Sequence, residues 1–235
     1  MPNTAEKLRE VLGTRSQLMV KRSNICKKCN TRPVDGIGGF YCHLCYRSLA
    51  FGQLPDEEKK LAILETVPAR YINAEIADLS PKIQKTFAAK IENGMLLWGA
   101  VGSGKSYAMS VLAKKYITEG YFVTRLHYEM LCLKLRDTFN SKATQTEWQV
   151  IEPLLNCDKL FIEDVGASRS LGNQESDHSV RTFTILLDIR LEHFRPTFIT
   201  SNKSLENISE SFDERVGDRL KLFTILNMDG ESRRG

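Results

Sequence analysis

Residues 94–106 read Gly94-Met95-Leu96-Leu97-Trp98-Gly99-Ala100-Val101-Gly102-Ser103-Gly104-Lys105-Ser106. Met95 to Trp98 is a short unbroken apolar run, the signature of a strand buried on both faces. The eight residues that follow fit the spacing G-x-x-x-x-G-K-[ST]. Glycines at 99, 102 and 104 let the backbone fold back so that several N–H groups point at one anion. The next stretch places Ala108, Val111, Leu112 and Tyr116 on one helical face, and the positive N-terminal end of that helix adds to the anion site. In such a loop Lys105 reaches the β- and γ-phosphates of a nucleotide and the Ser106 hydroxyl binds Mg²⁺. Gly99, Gly102, Ser103, Gly104, Lys105, Ser106 and Tyr107 are therefore the candidate ATP-binding residues.

Further along, strand-like and helical stretches alternate. Residues 121–126 read as a strand, 128–139 as a helix, and Leu160-Phe161-Ile162 as a third apolar run. Residues 178–194 read as a helix, 197–200 as a strand, 205–222 as one helix, and 223–226 as a last strand. Strands alternating with helices predict an α/β fold with a mostly parallel sheet covered on both faces. Before it, residues 51–91 carry Pro55, Pro68 and Pro81 and read as a linker with one or two short helices.

A nucleotide site of this kind needs carboxylates at the end of another strand, and Glu163-Asp164 follows the run 160–162. The first acid holds Mg²⁺ and the second polarises the attacking water. The order Glu-Asp is unusual, because the first position is normally Asp. A rival mapping makes Asp164 the metal ligand, leaves Val165 in the catalytic slot, and predicts very weak hydrolysis.

With these motifs in hand, residues 66–234 resemble the AAA+ ATPases of the DnaC-type replicative helicase loaders and their IstB-like transposition relatives. Val67-Pro68-Ala69-Arg70-Tyr71-Ile72-Asn73-Ala74 is similar to the stretch before the P-loop in that family. Glu163-Asp164-Val165-Gly166 resembles its Asp-Asp-Leu-Gly, which maps Glu163 to the metal slot and Asp164 to the catalytic one. Pro196 to Asn202 resembles the sensor 1 strand, with Asn202 as the polar sensor. Asp213 to Leu220 resembles the box of the arginine finger, with Arg219 in that role. Gly230 to Arg234 resembles the sensor 2 end, with Arg234 as the sensor and Arg233 a possible substitute. The resemblance implies a P-loop AAA+ core without a C-terminal lid domain. It also implies self-association through the ATP site, since an arginine finger acts on a neighbouring subunit. Single-stranded DNA is implied near Lys134, Arg136, Lys142, Ser168, Arg169 and Ser170, all also readable as solvated surface.

The first fifty residues differ in kind. Residues 1–20 read as a helix. Cys26-x-x-Cys29, twelve residues, then Cys42-x-x-Cys45 is a four-thiolate zinc pattern. Four protein ligands leave no open position, so the zinc is structural and supplies folding energy that about 25 residues cannot draw from a core. Lys27, Lys28, Arg32 and Arg47 interleave with Phe40, Tyr41 and Tyr46. Three readings stay open: a docking surface for a helicase, a single-strand binding surface, or aromatics that form the module's own core. Cys132 and Cys157 read as core thiols.

The 235 residues hold 42% hydrophobic and 26% charged side chains, the balance of a folded protein and not of a disordered one. The net charge of +4 divides into +6 over residues 1–50 and −2 over the rest. No run approaches the ~18 apolar residues of a membrane helix, and no apolar leader opens the chain. A reducing cytoplasm is the expected compartment. The expected organisation is an adaptor over 1–50, a linker over 51–91 and an AAA+ ATPase domain over 92–235, using ATP, Mg²⁺ and Zn²⁺. The leading expectation is an ATPase that loads a replicative DNA helicase onto single-stranded DNA. The alternatives are an IstB-like ATPase assisting a DNA transposase, and a nucleotide-gated binding module that hydrolyses little.

Overall fold

β1 (Gly94–Trp98) is an inner strand of a five-stranded sheet. It pairs in parallel with β4 (Thr197–Ser201) on one side and β5 (Thr224–Asn227) on the other. β3 (Lys159–Glu163) continues from β4, and β2 (Val123–His127) forms the far edge. The order is β2-β3-β4-β1-β5. This is a computed structural model, and it describes residues 49–167 and 176–228. The predicted helix over 1–20, Cys26, Cys29, Cys42, Cys45, residues 168–170 and Arg233–Arg234 lie outside the described residues.

Strand periodicity sends alternate side chains to opposite faces. Met95 and Leu97 join Phe161 and Phe198 in one core cluster, whereas Leu96 joins Leu160, Ile162 and Ile199 in the other. The first cluster is covered by α1 (Asp56–Thr66), α2 (Pro81–Ala88) and α3 (Lys105–Thr118). The second is covered by α4 (Tyr128–Asp137), α5 (Glu147–Asn156), α6 (Asp177–Glu192), α7 (Leu205–Ser211) and α8 (Glu214–Leu220). The expected α/β fold, a parallel sheet flanked by helices, is the observed one.

Three local features differ from the sequence reading. Residues 51–91 carry the short helices expected there, but Phe51, Val67, Leu79, Ile83, Phe87 and Ile91 are buried in the first core cluster. This segment is packed against the sheet, not strung out beside it. The helix α5 is an addition. Thr146 Oγ1 accepts from Gln149 N–H while Gln149 Oε1 accepts from Thr146 N–H, a capping box that starts the helix. Finally, the single helix expected over 205–222 is two. Asp213 Oδ1 accepts from Val216 N–H at 3.1 Å, and this N-cap starts α8 afresh after α7 ends at Ser211. At the crossing of α7 and α8, a Cβ on Gly217 would lie 2.2 Å from Ser209 Oγ, so only glycine permits this approach.

Candidate nucleotide-binding site

The strand order explains why distant motifs meet. β3, β4 and β1 are neighbours, so the segments leaving their C-terminal ends share one rim of the sheet. From β1 comes the glycine loop, from β3 the acidic pair, and from β4 Asn202. Neighbouring strands lie about 4.8 Å apart, so the outer two of these three are about 10 Å apart.

The loop has the backbone its glycines predict. Gly99, Gly102 and Gly104 have φ of 150°, 85° and 92°. A Cβ at Gly99 would come within 2.8 Å of Met228 O. Gly104, left-handed, is the N-cap of α3 and offers no side chain to its first turn. The early N–H groups of that turn are then directed to whatever sits above the loop. Lys105 is buried, and its Nζ donates to Gly99 O and Ala100 O, both at 2.8 Å. Ser103 is buried and Ser106 half-buried.

The acidic pair is fastened to β4. Asp164 N–H donates to Thr200 Oγ1 at 3.0 Å, Val165 N–H to Thr200 O at 2.9 Å, and Ser201 Oγ–H to Val165 O at 2.7 Å. Gly99 N–H donates to Ser201 O at 3.3 Å, so Ser201 holds the glycine loop and the acidic turn together. Asp164 takes φ of 58°, a left-handed conformation rare for a residue with a side chain. Glu163 and Asp164 have opposite environments. Glu163 is buried, while the Asp164 side chain is 43% exposed. Asn202 is exposed just past β4.

Two residues beside the acids escaped the sequence reading. Arg125 of β2 pairs with Glu163, Nε to Oε1 at 2.5 Å, with both side chains buried. Its other nitrogens donate to Ser110 Oγ at 2.8 Å and Ser106 O at 3.3 Å on α3. A charged residue inside Val123-Thr124-Arg125-Leu126 is itself a signal, since a buried charge requires a partner. His127 Nδ1 lies 3.5 Å from Asp164 Oδ2 at the exposed end of β2.

The remaining predicted residues divide. Tyr107 faces the segment before the loop: its O–H donates to Asp78 Oδ2 at 2.5 Å and accepts from Glu75 N–H. The hydrogen bond to Asp78 raises the phenol above its usual range. Lys114 Nζ donates to Ile72 O and Ala74 O, both at 2.7 Å, so two α3 side chains fix residues 72–78 against the P-loop helix. Arg219 on α8 forms a two-pronged pair with Asp188 of α6, Nε–Oδ1 at 2.5 Å and a second nitrogen to Oδ2 at 3.0 Å. That hydrogen bond raises the guanidinium further above its already high range. Lys134, Arg136 and Lys142 are exposed on α4 and the loop after it, and Lys134 and Lys142 line a cavity of about 210 Å³ with Asp137. Cys132 is half-buried and Cys157 buried, and neither forms a disulfide among the described residues. No helix among the described residues is long and apolar enough to cross a membrane.

No family model matches the chain. The replicative helicase loader DnaC of Escherichia coli K12 is homologous, 27% identical over 135 residues that cover 56% of this chain and 53% of that protein. The chain thus spans about half the length of the curated relatives it matches. A crystal structure of the DnaC helicase loader matches with a TM-score of 0.57 at 17% identity, over 69% of this chain and 100% of that one. A replication initiator, DnaA bound to AMPPCP and single-stranded DNA, matches with a TM-score of 0.58 at 11% identity, over 70% of this chain and 51% of that one. These structural likenesses show the fold alone, a parallel five-stranded sheet flanked by helices.

Proposed function

We propose that this chain is an ATPase that loads a replicative DNA helicase onto single-stranded DNA and uses hydrolysis as its switch. The observation that carries this reading is the gathering of a glycine loop, an acidic pair and Asn202 on one sheet rim, in a chain homologous to a helicase loader. The oxygen-only donor set of the Ser106 hydroxyl and Glu163 suits Mg²⁺; Arg125 bonds Glu163 Oε1 and the backbone carbonyl of Ser106, not its hydroxyl. Bound there, Mg²⁺ supplies charge neutralisation at the β- and γ-phosphates. In this reading the loop N–H groups and Lys105 bind the phosphates, Lys105 exchanging its bonds to Gly99 O and Ala100 O for phosphate oxygens. Asp164, the more exposed acid, orients the attacking water and takes its proton. Asn202 hydrogen-bonds that water or the γ-phosphate without adding charge. Arg219 acts on the nucleotide of a neighbouring subunit, and Arg234 on its own. The four cysteines Cys26, Cys29, Cys42 and Cys45 hold a structural zinc in a module that docks the helicase, and the protein works in the cytoplasm.

The experiment is helicase loading. The full chain, its host's replicative helicase, ATP and single-stranded DNA coated with single-strand binding protein are combined, and unwinding of a downstream duplex is followed. Unwinding that requires both this chain and ATP supports the reading. Helicase that is neither bound nor loaded sinks it, and stimulated strand transfer by a transposase would put the IstB-like alternative in its place. One observation favours a second reading, a nucleotide-gated clamp with slow turnover: Glu163 already has a cation on one carboxylate oxygen. A steady-state phosphate-release assay with and without single-stranded DNA separates the two.

A further inference from the structure

At the opposite rim of the sheet, where the strands begin, lies a cavity of about 510 Å³. Its walls come from the segment between α2 and β1, the C-terminal end of α3, Tyr121, and the turn after α6. Lys159, the first residue of β3, opens into it. Glu163 is four residues along the same strand, about 13 Å away, so this site is separate from the nucleotide.

The three amines of the cavity differ. Lys90 pairs with Glu92 at 2.9 Å. Lys115 lies 3.8 Å from Glu119 and donates to Phe87 O. Lys159 instead has its Nζ over two aromatic rings, 4.8 Å from the centroid of Tyr116 and 4.6 Å from that of Tyr121. The adjacent Asp158 carboxylate is turned to Phe122 N–H at 2.8 Å. The amine is thus partly stripped of water and without a close carboxylate among the described residues. Three amines against two carboxylates leave the cavity positive, which favours an anionic reactant.

We propose that Lys159 is a modification site, a nucleophilic amine that is acylated by small acyl phosphates entering this cavity. The Nζ lone pair attacks the acyl carbon and a C–N bond forms. The bond from carbon to the phosphate oxygen breaks, its electron pair leaves on inorganic phosphate, and the amine proton passes to solvent. Burial supports the step, because it pushes the amine down to about 8. Asp158 and Glu119 pull the other way, as do the two ring faces that attract the ammonium, while the fully buried Arg190 and also Lys90 reinforce the lowering. At pH 7.5 about a quarter of such amines are neutral, against about one in a thousand for an ordinary lysine. Lower basicity reduces intrinsic nucleophilicity; a Brønsted coefficient of about 0.5, the value for thiolate nucleophiles, leaves a net gain on the order of tenfold.

The test uses the full chain with acetyl phosphate as probe, from pH 6.5 to 9.5, with occupancy of each lysine read by peptide mass spectrometry. Lys60 and Lys221 are the references, both exposed and each paired with a carboxylate that raises its basicity. Lys159 is expected to be acetylated about tenfold faster than either at pH 7.5. Its rate should level off above about pH 8 while the references keep climbing. Acetylation of Lys159 no faster than Lys60 and Lys221, or a rate that never levels within this range, overturns the proposal.

Discussion

Arg125 Nε lies 2.5 Å from Glu163 Oε1, and the two side chains are only 5% and 4% exposed. One guanidinium thereby joins the edge strand β2, the acid at the end of β3 and the first turn of the P-loop helix. Removing one partner of a buried pair strands the other charge and costs about 3–5 kcal/mol, whereas replacing both by apolar groups is often near neutral. Arg125→Met should therefore lower the urea-unfolding free energy by that amount, and Arg125→Met with Glu163→Met should recover most of it. A single substitution costing under about 1 kcal/mol would show that the pair does not hold these elements together.

The two acids should separate functionally. Under the leading assignment, Glu163→Gln loses Mg²⁺-dependent nucleotide binding, while Asp164→Asn binds ATP as before and loses turnover. Loss of turnover alone, where general base catalysis is removed, is about 10²–10⁴-fold. Titration with a fluorescent ATP analogue, with and without Mg²⁺, beside steady-state phosphate release measures both. The opposite pattern supports Asp164 as the metal ligand.

Lys105→Ala removes the amine that bonds Gly99 O and Ala100 O and, on the proposed reading, the phosphates. Nucleotide binding should be abolished while the circular-dichroism spectrum is retained. ATPase activity near wild-type would remove the site assignment altogether.

Much of this was legible in the sequence for a simple reason. Apolar runs such as Met95 to Trp98 and the glycine spacing are local signals, and the strands they mark are central and buried. Glu163 drew attention because it follows the apolar run 160–162, and Asn202 because its segment resembles the sensor 1 strand of a known family. What escaped depends on partners distant in sequence. Arg125 acquires its meaning only when β2 pairs with β3, 38 positions away. The break between α7 and α8 depends on Asp213 choosing a capping role over helix continuation, a competition that apolar periodicity does not register. Residues 51–91 read as a linker because they mix polar and apolar side chains and are broken by Pro55, Pro68 and Pro81, yet Phe51, Val67, Leu79, Ile83, Phe87 and Ile91 are buried in the core cluster that includes α3.

The packing of α7 on α8 gives a prediction independent of nucleotide. Gly217→Ala brings a methyl within 2.2 Å of Ser209 Oγ and 2.8 Å of its Cβ, so the helices must part. Overpacking of this kind costs about 1–3 kcal/mol, visible as a lowered melting temperature. Ser209→Gly in the same chain removes both clashing atoms and should return much of the loss. A double variant no more stable than Gly217→Ala would show that the close approach is not what requires glycine.

Arg219 is held by Asp188 within its own chain, and that contact bears on how it could serve a neighbour. If Arg219 completes the site of an adjacent subunit, Arg219→Ala should bind ATP normally but hydrolyse it poorly. Lys105→Ala should fail for the converse reason, keeping its arginine and losing its nucleotide. Mixing the two inactive variants then creates interfaces in which an intact P-loop meets an intact Arg219, and part of the activity should return. Asp188→Ala should leave nucleotide binding intact and weaken only this trans contribution, because the guanidinium loses the carboxylate that orients it. Mixtures that stay as inactive as their components, measured at concentrations where the wild-type chain associates, would place Arg219 in a structural role with Asp188.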